Sequence, residues 1–201
     1  MKDHSREKFR QSWTKLTTPD ILRKNLILAS LYITAYETLK SSIVDRIKDF
    51  FTFSFDNNGG AIPDSEYDKV KKLSKKNIFI ASCLWLQQNG VIDAENIADI
   101  MIVREHRNQI VHKMPNILID VDQEVSIAHL EKIRYLLQKI ERWWIREVDI
   151  PTNSDFDGVE VKDQDIQSGK MILIDLILSI ALEDQDTVPK NKTSDGNISS
   201  A

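Results

Sequence analysis

Apolar residues recur every three or four positions after Pro19, at Leu22, Leu26, Ala29, Ile33, Tyr36, Ile43, Ile47 and Phe50. That spacing keeps them on one side of an α-helix and predicts a long spine with Pro19 in its first turn. The Asn57-Asn58-Gly59-Gly60 run predicts the turn that ends it. Pro63-Asp64-Ser65-Glu66 predicts the start of a second helical region, with Asp64 or Ser65 as cap and Gly90 as its stop. A third helix is predicted over residues 93–112, a loop over 115–122 and a fourth helix over 123–148. The fourth carries Ile127, Leu130, Ile133, Leu137, Ile140 and Trp144 on one stripe. Residues 151–167 read as an acidic loop, and 168–183 as a further, strongly apolar helix that must cover either the bundle or a second subunit. Residues 188–201 read as a disordered tail. No internal repeat and no sustained strand alternation is present. The pattern predicts an all-α fold: an up-and-down bundle of four long helices plus a C-terminal apolar helix, in one domain over residues 1–187.

The third helix breaks its own pattern. At about 100° per residue, Ile97, Ile100, Met101, Arg104, Arg107, Asn108 and Val111 project from one side, and three of these are polar. Asn108 and His112 lie four apart and are helical neighbours, and the long Arg107 fork can converge on the same spot. The residue before Pro115 is pushed out of the α region, so the helix ends near Met114 with His112 in its last turn. An anion could be held between these groups.

Arg107, four residues, then His112, with the polar Asn108 directly after the arginine, resembles the Arg-x4-6-His signature of the HEPN superfamily. These are the "higher eukaryotes and prokaryotes nucleotide-binding" helical domains. The resemblance covers the helical part, residues 19–150. It implies a metal-independent endoribonuclease without cofactor, acting through the ribose 2′-OH. His112, Arg107 and Asn108 would be its catalytic residues, in a composite site formed where two signature helices meet across a homodimer. It also implies a toxin or antiviral-defence role, with an antitoxin or nucleotidyltransferase-like partner. After His112 the chain has Lys113-Met114 in place of the x-Tyr to which such an antitoxin adds a nucleotide in one subgroup. Many members of the family place polar residues of an early helix opposite the Arg/His helix, which selects Glu37 and Lys40 as substrate-binding candidates; Arg104, one turn before Asn108, could add a second phosphate contact. Two other readings stay open: a non-catalytic HEPN-like module binding nucleotide, RNA or a partner protein, and a helical interaction protein in which the spacing is accidental.

Composition narrows the alternatives. The 201 residues are 41% hydrophobic and 29% charged, with only 6 Gly and 5 Pro, enough to bury a core without staples. The lone Cys83 lies in an apolar run and reads as a buried thiol in a reducing compartment. With no apolar leader and no run long enough to span a bilayer, a cytoplasmic protein is expected. The net charge is −4, but residues 149–186 hold ten acids against two lysines, leaving residues 1–148 mildly basic. His4, His106 and His129 share no metal-ligand spacing, so no metal site is expected. The lysines at 69, 71, 72, 75 and 76 read as a solvated helix face, and Trp143-Trp144 as core plus interface. No phosphate-binding glycine loop and no nucleophile elbow occurs.

Overall fold

A computed structural model describes residues 2–55 and 60–186. It is all-α apart from one small hairpin. The helices are α1 (Lys2–Thr17), α2 (Pro19–Phe50), α3 (Tyr67–Lys72), α4 (Ile78–Gln88), α5 (Ala94–His112), α6 (Met114–Ile119), α7 (Ile127–Trp144) and α8 (Gly169–Asp186), and β1 (Thr52–Phe55) pairs antiparallel with β2 (Ala61–Pro63). Among the described residues no helix is long and apolar enough to cross a membrane.

The spine is α2. Thr18 is extended and Pro19 follows in the first turn, where its missing N–H costs nothing. Tyr32, Ala35, Tyr36, Leu39, Ile43 and Ile47 are buried, and α7, α4, α5 and α8 pack on this line. The expected stripe is therefore only partly covered. Leu26 remains 42% exposed and Phe50 39%. An open groove of about 520 Å³ lies over Leu22, Leu26, Ile27 and Leu31.

Several boundaries differ from the pattern, each for a local reason. The spine ends at Phe50, before the Asn/Gly turn, because the chain folds back as the hairpin; residues 57–59 of that turn lie outside the described residues. The second region is two helices, not one: Asn77 is extended and its side chain accepts from the N–H groups of Phe79 and Ile80, starting α4 anew. Gly90, at φ +72°, is the predicted stop. Residues 115–122 are not a loop throughout. Lys113 leaves helical geometry and Pro115 then sits in the first turn of α6. The N-terminal helix α1, absent from the pattern, has little apolar periodicity. It is tethered by Lys15, whose ammonium donates to the carbonyls of Asp120 (2.7 Å) and Gln123 (2.5 Å).

Helix α7 buries Leu130, Ile133, Leu136, Leu137, Ile140 and Trp144 and continues as a π-helical turn, Ile145–Asp149. Helix α8 packs on α7 and α2, burying Met171, Ile174, Ile177 and Ala181. A buried polar contact fixes it there: Ser42 donates to Glu141 (2.6 Å), and the Lys170 ammonium donates to Ser42 (3.0 Å) and lies 3.4 Å from Glu141. The opposite face of α8 leaves Ile172 and Leu176 more than half exposed.

Candidate functional site

Helix α5 begins with a reciprocal cap: the Asp93 side chain accepts from the Asn96 N–H (2.8 Å), and Asn96 accepts from the Asp93 N–H (3.3 Å). Its buried residues are Asn96, Ile100, Val103 and Ile110. Position 107 completes that line at helical spacing, so Arg107 stands where an apolar side chain would. The line is rotated from the expected one, and on its inward side Tyr32 donates to the Val103 carbonyl (3.1 Å). Val111 is left 41% exposed in consequence, and Arg104 and Asn108 lie at the edge of the buried face.

The Arg107 guanidinium reaches across to α2. Its Nη2 donates to Glu37 Oε1 at 2.6 Å, while Glu37 Oε2 accepts from Lys40 at 3.1 Å. Nη1 donates weakly to the Asn108 side-chain oxygen at 3.4 Å, and the fork lies 5.7 Å from the centroid of the buried Tyr36 ring. The Arg107 Nε is buried and has no hydrogen-bond partner among the described residues. Partial burial pushes the Glu37 carboxyl up, but Lys40 and Arg107, through hydrogen bonds and charge, outweigh this and hold it below the usual carboxylate range. Arg104 lies 5.2 Å over Phe79, whose ring is 6.5 Å from Tyr36, so the two arginines flank one aromatic shelf.

Arg107, Asn108, Glu37 and Lys40 thus form one connected polar cluster, with Arg104 beside it. His112 is separate. It occupies the last turn of α5 as expected, is exposed, and its imidazole makes no hydrogen bond, ion pair or ring contact with another described residue. A single chain therefore presents an arginine braced by a carboxylate and one free imidazole a turn and a half further along.

Tyr36 and Phe79 were not among the site residues drawn from the sequence. Their apolar stripe positions gave no sign that the arginines would rest on them. His106 also acquires a role. Its Nε2 accepts the backbone N–H of Ser126 at 3.1 Å, and its ring meets Tyr32 (4.9 Å) and His129 (4.8 Å) edge-on. Burial, then the neighbouring His129, pushes its pKa down to about 4, so the acceptor nitrogen is free of its proton at neutral pH. Cys83 is fully buried and its thiol is pushed up to about 12 by burial. Among the described residues no three His, Cys, Asp or Glu side chains cluster as a cation site. No protein-family model matches the chain, and comparison with curated proteins and with solved structures likewise gives no match.

Proposed function

We propose that this chain is a metal-independent endoribonuclease of HEPN type, on an up-and-down helical bundle, acting in the cytoplasm as a toxin or antiviral-defence effector. The observation that carries the reading is Arg107, a cation held at a core position by Glu37 and partly exposed to solvent, on the same helix as a free His112. Cleavage by this route needs a base for the ribose 2′-OH, a cation for the charge that develops on the phosphorane, and an acid for the 5′ leaving oxygen. His112 takes the 2′ proton as the 2′ oxygen attacks phosphorus. Arg107 donates to the phosphoryl oxygens, positioned by Glu37 and assisted by Asn108. The proton for the departing 5′ oxygen requires a second imidazole, which a C2 homodimer supplies from the other chain. The products are a 2′,3′-cyclic phosphate and a free 5′ hydroxyl. Lys40 and Arg104 add positive charge beside the strand. An antitoxin partner belongs to the same reading.

One observation favours the alternative, a non-catalytic module that binds nucleotide, RNA or a partner protein: the Arg107 charge is already matched by Glu37. The two readings separate on cellular RNA incubated with purified protein in EDTA. Cleavage leaving 2′,3′-cyclic phosphate ends is expected, with His112→Ala and Arg107→Ala each lowering the rate by about 10²- to 10⁴-fold. Absence of cleavage that these substitutions remove would leave the binding module as the better reading.

A further inference from the structure

A second polar cleft lies on α7, built from residues that the Arg107 cluster does not use. Tyr135, Lys139, Arg142 and Arg146 recur at intervals of four, three and four, so they line one side of the helix and its π-helical continuation. With Trp143 and Asp163 they bound a cleft of about 370 Å³, within the roughly 300–1,000 Å³ typical of small-ligand sites. Its lining carries three cations and the carboxylate of Asp163, and a second carboxylate, Asp93, reaches Lys139 from outside the lining, so one cation is left unmatched.

The cations are differently committed. Lys139 donates to the Asn96 side chain (2.6 Å), lies 3.7 Å from the Asp93 carboxylate and sits 6.0 Å over the Tyr135 ring. Arg146 is ion-paired with Asp163, which arrives from the acidic segment. Arg142 is exposed, and its guanidinium has no ion pair or hydrogen bond among the described residues. The aromatic groups differ as well. Trp143 is fixed edge-on against Trp85 (6.1 Å) and Trp144 (4.9 Å) and forms a half-buried wall. Tyr135 leaves 55% of its surface in solvent. At 1.5 Å rise per residue, Tyr135 and Arg142 are about 10 Å apart along the helix, a gap that the long arginine side chain can shorten towards a phosphate.

We propose that this cleft binds a nucleotide, with the base stacked on Tyr135 and the phosphates on Arg142 and Arg146. Every base offers a π-face to an exposed aromatic ring, and a guanidinium donates two parallel hydrogen bonds to phosphate oxygens. Asp163 occupies Arg146 in the meantime, so the acidic segment acts as a competing anion that a phosphate must displace. The same unit could come free or as part of an RNA strand, and the two sources are separable.

The test is isothermal titration of the full chain carrying His112→Ala, so that no strand is cut and the result does not depend on the nuclease reading. The titrants are ATP, AMP, inorganic phosphate and a short single-stranded oligoribonucleotide. Saturable submillimolar binding of ATP is expected if the nucleotide is free, or of the oligoribonucleotide alone if it belongs to a strand. Tyr135→Ala should weaken binding about 5-fold or more and Arg142→Ala about 10-fold, while Asp163→Asn strengthens it several-fold. Both truncated side chains are exposed, so the fold survives. The proposal is overturned if neither the nucleotides nor the strand bind even the Asp163→Asn chain. It is equally overturned if binding ignores Tyr135 and Arg142, or if phosphate alone binds as tightly as ATP.

Discussion

Arg107 occupies a position on the buried line of α5 that Ile100, Val103 and Ile110 fill with aliphatic side chains. A protein selected only for stability would place Leu or Met there. Arg107→Met should therefore leave the fold intact, since Glu37 keeps its Lys40 partner and is itself 37% exposed. A change of no more than about 1 kcal/mol in urea unfolding is expected, together with loss of cleavage. A large stability loss with cleavage retained would instead make Arg107 a structural fastener. Lysine is not an equivalent here, because a point charge cannot bond Glu37 and a phosphate with a planar fork.

Between elements, the contact of His106 with the α7 cap makes stability depend on pH. Ser126 caps α7 by accepting from the His129 N–H (3.3 Å), while its own N–H donates to His106. The folded His106 has a pKa of about 4 against the ordinary 6.5, so the unfolded chain binds protons first as pH falls. Its stabilising contribution is complete above about pH 6.5 and is lost progressively from there down to about 4. Burial depresses His129 as well, in the same direction, with Lys132 adding to the shift and Asp99 opposing it. Urea midpoints should drop between pH 7 and pH 5, and His106→Gln, which retains an acceptor, should flatten that slope. A slope identical in the variant would contradict this assignment.

At the scale of the whole molecule, α8 has two faces. Met171, Ile174, Ile177 and Ala181 are buried where the helix packs on α2 and α7, whereas Ile172, Leu173, Leu176 and Ile180 face outward without a covering element among the described residues. Such a face, like the groove on α2, is the kind of apolar surface that an isologous contact buries. Light scattering at micromolar concentration should give twice the mass of one chain, and a monomer would remove the composite site. Truncation at residue 167 should uncover α2 and α7 and strand Glu141 without Lys170, so aggregation is expected on gel filtration. A soluble, folded truncation would show that α8 is dispensable to the core.

The linear pattern determined the helical class, the bounds of α5 with its terminal His112, the Gly90 stop, the buried Cys83 and the apolar α8, because each follows from short-range spacing and cap chemistry. It also named Arg107, Asn108, Glu37 and Lys40, the last two through family likeness. Only the tertiary structure decided which side of each amphipathic helix is covered. A helix with apolar residues on more than half its circumference, such as α2 or α5, carries no local mark of where its neighbours will sit. Packing against α2 and α7 selected the buried face of α5, and the hairpin shortened α2. The α7 stripe from Tyr135 to Arg146 became a cleft only once Asp163 had folded over it, and that contact between distant segments has no signature in local sequence spacing.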